Sequence, residues 1–206
     1  MSKRIESGEA PSTEGKIGTN SNEASCESLG GHKILLAYYS RTGNTRVVAE
    51  AISKKLGCDL EEITEPKNRN GLMGYMSAGS DAQKEIITAI NPTKQKVEDY
   101  DLVIVGTPIW AWNISAPIRS YLTANRGKFP KLAFYITLDG RPGETLRNME
   151  NVAGKAPLAS ELFYSSEIKK KVFQEKVERF SNQIILATRG SLEDGETVMT
   201  VPCEMS

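Results

Sequence analysis

The chain has 206 residues, with 26 Lys and Arg against 26 Asp and Glu and a single histidine. One histidine, His32, argues against a multi-histidine metal site and against a Ser-His-Asp triad. No run approaches the roughly 18 apolar residues of a membrane span, and a net charge of zero gives no electrostatic reason to expect nucleic acid as a partner.

Residues 1–31 are rich in Ser, Glu, Gly and Thr and read as a disordered tail without a secretory apolar segment. Lys33–Tyr39 (KILLAYY) is a continuous apolar run, the pattern of a strand buried on both faces. Thr45–Leu56 places Val48, Ile52 and Leu56 on one helical face, and Gly57 stops it. Cys58–Thr64 reads as a second strand. Gly71–Ile90 reads as a helix with Gly79 as its weak point. Asp101–Gly106 (DLVIVG) is another buried strand. Ser115–Leu122 reads as a short helix capped by Ser115, with Pro117 in its first turn. Lys131–Leu138 is the fourth strand, Arg141–Val152 a short helix and Leu158–Tyr164 the fifth strand. Phe173, Val177, Phe180 and Ile184 mark a last helix over Lys169–Arg189. Residues 190–206 contain four acidic residues and no Lys or Arg; they read as an acidic tail with a possible short strand at Thr197–Val201. The domain is therefore 32–189.

Apolar strands alternating with helices imply an α/β/α three-layer sandwich around a five-stranded parallel sheet. The common strand order is 2-1-3-4-5, and ligands of such sheets bind beyond the carboxyl ends of the strands, where the order reverses. Neutrality is an average in this chain. Residues 32–189 carry 23 Lys and Arg against 17 Asp and Glu, so the domain is +6 between acidic ends of −2 and −4. Cys26, Cys58 and Cys203 show no CxxC spacing, which fits a reducing compartment such as the cytoplasm.

Three loops meet at the expected ligand end. The first is Ser40-Arg41-Thr42-Gly43-Asn44-Thr45, between the first strand and its helix. Hydroxyls, backbone N–H groups and a helix N-terminus suit an anion there; the same residues also suit a simple N-cap. No GxxxxGK[ST] or GxGxxG is present, and Gly106-Thr107 stands where a phospho-receiver would need an acid. The second loop, Thr107-Pro108-Ile109-Trp110-Ala111-Trp112-Asn113, holds both tryptophans of the chain. It offers a wall for a flat aromatic ligand, or else a plug over the sheet. The third, Thr137-Leu138-Asp139-Gly140-Arg141, supplies a polar edge. A ligand with a phosphate at one end and a planar heterocycle at the other satisfies all three.

This constellation resembles the flavodoxin family, in its short-chain form. Ser40-x-Thr42-Gly43-Asn44-Thr45 is similar to its FMN phosphate loop, and Gly106–Leu122 to its isoalloxazine loop and following helix. Gly71-Leu72-Met73-Gly74-Tyr75-Met76-Ser77-Ala78-Gly79 is similar to a GxxGYxxAG stretch of a microbial branch. The resemblance implies one non-covalent FMN. Its phosphate would lie on Ser40, Arg41, Thr42, Gly43, Asn44 and Thr45, and its ring against Trp110. Pro108, Ile109, Ala111, Trp112 and Asn113 would line one edge of the ring, and Thr137, Asp139 and Gly140 the other.

Two features depart from the family pattern. Carrier flavodoxins are usually acidic, whereas this domain is +6. The family also often has Gly after the ring-contacting Trp, where Ala111 stands here; a Cβ makes positive φ costly. Weaker stabilisation of the one-electron-reduced flavin is therefore expected. Two functions follow. One is a carrier passing electrons to a redox partner protein. The other is an FMN-dependent NAD(P)H:quinone-type oxidoreductase with nicotinamide and quinone as small-molecule partners.

Overall fold

The computed structural model describes residues 31–69 and 71–193. The readings of 1–30 and 197–201, and Cys26 and Cys203, lie outside the described residues. The elements are β1 Ile34–Tyr38, α1 Asn44–Leu56, β2 Asp59–Glu62, α2 Gly71–Gln83, β3 Leu102–Trp110, β4 Asn113–Ile114, α3 Ala116–Ala124, β5 Leu132–Leu138, α4 Thr145–Ala153, β6 Ser160–Tyr164, α5 Ser165–Lys169 and α6 Gln174–Glu193.

Five strands pair in parallel in the order β2-β1-β3-β5-β6. This is the expected 2-1-3-4-5 order, with the order reversing between β1 and β3. Alternate residues of each central strand enter opposite cores. Leu35, Ala37, Val103, Val105, Phe134 and Ile136 face Ala78 and Ala82 of α2, Ile118 and Leu122 of α3, and Met149 of α4. Leu36, Tyr38, Ile104 and Tyr135 face Val48 and Ile52 of α1 and Phe180 and Ile184 of α6. All five residues of β1 are buried, which is why its sequence is apolar without alternation.

Four differences from the sequence reading matter. First, β3 extends four residues beyond Gly106 and turns back antiparallel as β4, pairing Trp110 with Asn113. Second, α2 ends at Gln83, not at residue 90, because Glu85 turns left-handed (φ 54°). The following chain is tied to α3, with Thr88 N–H donating to Ser120 Oγ at 2.9 Å. Third, the expected helix over 169–189 is two helices. Lys169 ends α5, Lys171 is left-handed (φ 58°), and α6 begins at Gln174 and continues through 193. Lys169–Lys171 therefore stand at a helix C-terminus, where positive charge is favourable, not at an N-terminus. Fourth, Ser115 occupies the N-cap of α3 without a side-chain capping bond. Its hydroxyl pairs with that of Thr107 at 2.9 Å instead.

Candidate functional site

The carboxyl ends of β1, β3, β5 and β6 surround a cavity of about 600 Å³. The β1–α1 loop forms one end. Gly43 is the N-cap of α1 at φ 95°, and no side chain caps the helix. Val47 N–H reaches Gly43 O, and Arg46 N–H reaches Ser40 Oγ at 3.2 Å. The N–H groups of Gly43, Asn44 and Thr45 find no acceptor among the described residues. Uncapped N–H groups on a helix N-terminus suit an anion. The alternative of a side-chain N-cap is therefore not what the loop forms.

The loop is fixed from below. Thr45 Oγ1 and Thr137 Oγ1 lie 2.8 Å apart, and both residues are buried. Tyr135 crosses beneath and donates its hydroxyl to Thr45 O at 3.0 Å. That crossing requires Gly106, because a Cβ there would stand 2.1 Å from Tyr135 Cζ. Asn44 Nδ2 donates to Ser165 Oγ at 3.0 Å, joining the loop to the end of β6.

The other end is the β3–β4 hairpin. Its two central residues, Ala111 and Trp112, both have positive φ, 45° and 62°. Such a turn usually needs Asn and Gly, because an L side chain there costs about 1–2 kcal/mol. Ala111 thus adopts the positive φ that its Cβ makes costly. Neighbours hold the hairpin in place. Ala111 Cβ packs 3.8 Å from where a Cβ on Gly79 would lie. Gly143 approaches the backbone of Trp112 so closely that a Cβ would stand 2.6 Å from its carbonyl oxygen.

The two tryptophans have opposite fates. Trp110 is 7% exposed, edge-on to Tyr39 at 5.4 Å, with the Arg69 guanidinium 5.2 Å from its ring centre. Trp112 is 62% exposed. Both tryptophans line the cavity, Trp110 from the core and Trp112, like Tyr75 of α2, with an exposed ring.

Beneath Trp110 lies a buried ion cluster. Arg69 donates to both oxygens of Glu65 at 2.9 and 3.0 Å, to Asp81 at 2.6 Å and to Ser77 Oγ at 3.2 Å. Burial works against the Asp81 carboxylate, but the hydrogen bonds from Lys67 and Arg69 outweigh it and hold the group below its ordinary value. Burial, then the Glu65 carboxylate, pushes the Tyr39 phenol well up. This cluster explains the Gly71–Gly79 pattern. Gly74 lies against the backbone of Arg69 with no room for a Cβ, Ser77 and Asp81 hold the Arg69 side chain, and Ala78 and Ala82 enter the core. Leu72, Met73, Tyr75 and Met76 are left exposed.

Of the residues expected at the site, Arg41, Thr42, Asn44, Thr45, Pro108, Ile109, Trp110, Ala111, Trp112, Thr137, Asp139 and Gly140 line the cavity. Ser40 instead lines a neighbouring cleft of about 270 Å³, and Gly43 acts through its backbone. Asn113 is turned away. Its Oδ1 accepts from Ile114 N–H (2.8 Å), Arg119 Nη2 (3.1 Å) and Asn148 Nδ2 (2.9 Å), and its Nδ2 donates to Ala82 O (3.2 Å). Leu138 and Arg141, from the expected third loop, line it too, and Tyr75, Met76, Ser80 and Gln83 of α2, with Ser165, do so without having been expected there. Ser165 follows the last parallel strand, so the carboxyl-end rule applied to that strand would have found it.

The family model described as Flavodoxin matches residues 33–151. The chain belongs to the flavodoxin family. It is similar in fold to a flavoprotein of Lactobacillus acidophilus NCFM solved in complex with FMN. The identity is 22%, covering 68% of this chain and 97% of that one, with a TM-score of 0.57. It is also similar to a Bacteroides eggerthii protein described as a flavoprotein, at 22% identity, 73% and 98% coverage and a TM-score of 0.58. Among the described residues of this flavodoxin-family chain, no helix is long and apolar enough to cross a membrane.

Proposed function

We propose that the cavity holds one FMN non-covalently and that the protein transfers electrons through it. The observation that carries this reading is the pairing of an uncapped α1 N-terminus at one end of the cavity with an aromatic hairpin at the other, at the switch point of the sheet. The N–H groups of Gly43–Thr45 and the hydroxyl of Thr42 would hold the phosphate. The hairpin over Pro108–Trp112 and the loop Thr137–Gly140 would flank the ring. Bound FMN supplies the redox chemistry. The chain's own residues bind it, orient it and limit its access to water. Its only free cysteine among the described residues, Cys58, is buried, with burial first among the causes pushing its thiol up to about 11; it is no redox partner for the cavity.

Within this reading a reductase acting on nicotinamide and quinone partners is set beside a diffusible carrier. The +6 charge of the domain favours the reductase, because carrier flavodoxins are usually acidic. The free thiol of Cys58 suits a cytoplasmic location.

Titration with FMN and with riboflavin tests the cofactor reading. FMN should bind about tenfold or more tightly than riboflavin, because only FMN carries the phosphate. Thr42→Ala should narrow that ratio. Equal affinity for both would sink the placement. Anaerobic mixing with NADPH or NADH then separates reductase from carrier. Bleaching of the flavin band by either nucleotide supports the reductase, and no bleaching leaves the carrier.

A further inference from the structure

We propose that Lys169, Lys170 and Lys171, with the exposed Val172, form a docking surface for an acidic segment of a partner protein beside the cavity. Docking there needs no bound FMN, so it stands or falls apart from the cofactor reading.

The end of α5 is a fixed turn. Lys171 N–H donates to Ile168 O at 3.1 Å and Val172 N–H to Glu167 O at 3.0 Å, the paired bonds that close a helix on a left-handed residue. Lys171 is that residue (φ 58°). Gly is favoured there, because an L side chain is costly at such angles. The chain uses Gly for the same task after α1 and α4, at Gly57 (φ 66°) and Gly154 (φ 71°). After α2 it uses Glu85 (φ 54°), whose carboxylate holds Arg119 at 3.2 Å. Glu85 therefore has an internal use for its side chain. The ammonium of Lys171 has no partner among the described residues. A side chain kept where Gly is favoured, with nothing inside the chain to bind, points to a partner outside it.

The turn presents three charges and one apolar group. Lys169, Lys170 and Lys171 are all exposed, and none holds a carboxylate among the described residues. The helix dipole accounts for lysine at 169 and 170, but not for lysine in place of Gly at 171. Of the carboxylates of α5 and the first turns of α6, Glu167 binds Lys176 at 2.7 Å and Glu178 binds Lys55 at 3.2 Å. Glu175 stands in the first turn of α6, where negative charge suits the helix N-terminus. In such turns the residue after the left-handed one commonly packs back on the helix. Here it would meet Glu167, and Val172 stays 63% exposed. Ile168 and Phe173, on either side in sequence, are buried in the core. The lysines and Val172 are thus held in place before any partner arrives.

The surface lies next to the cavity. α5 starts at Ser165, which lines the cavity and accepts a hydrogen bond from Asn44 of the phosphate-loop end. Four residues of helix rise about 6 Å, so Lys169 follows the cavity edge by about one turn. Lysines meet carboxylates as flexible point charges, and Val172 meets an apolar side chain set among them. An anionic membrane surface is a poorer match, because one Val offers too little apolar area to enter lipid.

Fluorescence anisotropy with a labelled Glu-Glu-Leu-Glu-Glu-Leu-Glu-Glu peptide tests this, beside the same peptide with Gln for every Glu. The full-length protein should bind the Glu peptide about tenfold more tightly at low salt, and the preference should shrink as salt rises. Lys169→Gln, Lys170→Gln and Lys171→Gln together should weaken the Glu peptide about tenfold. Lys84→Gln, Lys94→Gln and Lys96→Gln together remove the same charge from other exposed positions and should weaken it by less than about twofold. Lys171→Gly should raise the urea midpoint while weakening the peptide about twofold, and Val172→Ser should weaken it by a similar factor. Equal affinity for the two peptides overturns the proposal. Equal losses in the two triple variants overturn it too, because net charge and not the turn would then be the cause. Lys171→Gly with undiminished peptide affinity also overturns it. So does tighter binding to phosphatidylserine vesicles than to the peptide, lost in the first triple variant, because the surface would then be a membrane contact.

Discussion

At the Ser40–Thr45 end of the cavity, Thr45 is buried, bonded to Thr137 and supported by Tyr135, and the one residue in an unusual conformation is Gly43. At the hairpin end, Ala111 and Trp112 carry the unusual conformation without the help of glycine, and Trp112 stands in solvent. Both ends line the same cavity. The first is built from locally favourable choices: a glycine where φ is positive, hydroxyls that satisfy one another, and N–H groups left free for an anion. The second is held by its surroundings against local preference. A cofactor phosphate is the same in every turnover and suits a fixed cradle. A ring that must meet a second molecule suits a surface that the fold holds open.

The largest effect tests the support of the fixed end. Gly106→Ala would place a methyl 2.1 Å from Cζ of the fully buried Tyr135, which has no room to retreat. We expect a loss of about 3 kcal/mol of folding stability, measured by urea unfolding. Tyr135→Phe should lose only about 1 kcal/mol, the share of the hydrogen bond to Thr45 O. Equal losses in the two variants would show that the cradle depends on the hydroxyl and not on the ring's passage.

The next effect tests what holds the hairpin. Asn113 binds α3 through Arg119, α4 through Asn148 and α2 through Ala82 O. Arg119 is buried, its Nε has no partner, and its Nη2 is shared between Asn113 Oδ1 and Glu85, so losing Asn113 leaves its guanidinium less satisfied. Asn113→Ala should cost about 2 kcal/mol and should increase the exposure of Trp110 to acrylamide quenching. A stable variant with a shielded Trp110 would mean that the glycine contacts alone hold the hairpin.

This contrast also sets what the sequence makes legible. The sheet order follows from apolar runs such as Lys33–Tyr39, and the phosphate-loop end follows from a local motif, since every residue in it is chosen for its own backbone. Trp112 and Asn113 are different. Residues 110–113 read as a loop over the sheet, but which indole is buried depends on the Arg69 side chain arriving from 41 residues earlier. The role of Asn113 depends on partners from three helices. The Gly71–Gly79 pattern is visible in sequence, but its reason, a buried arginine packed under Gly74, appears only in the assembled fold.

That arginine cluster gives a pH dependence. The Asp81 carboxylate is held below its ordinary value of 3.8 by Lys67 and Arg69 against the effect of burial. A depressed folded-state value means that its stabilisation is fully present above 3.8 and is lost as pH falls below it toward the lowered value. Urea midpoints should therefore fall on acidification below about pH 4, and Asp81→Asn should flatten that part of the curve. An unaltered slope in the variant would place the acid sensitivity elsewhere, with Glu167, also held low, the first alternative.

The smallest effects compare the two ends directly. Gly43 has φ 95°, outside the range that an L residue tolerates well, so Gly43→Ala should cost about 1 kcal/mol or more. Ala111 has φ 45°, so Ala111→Gly removes a steric penalty at the expense of greater freedom in the unfolded chain. The net should be a gain of about 0.5 kcal/mol. The opposite signs are the point. The fixed end is already at its local optimum, and the hairpin is not. If Ala111→Gly stabilises the fold but weakens FMN binding, then a stiffer Ala111–Trp112 turn serves to hold the Trp112 indole in place. If it stabilises the fold and leaves that binding intact, the left-handed alanine is a tolerated accident of the sequence, and Gly143 with Asn113 suffices to present the ring.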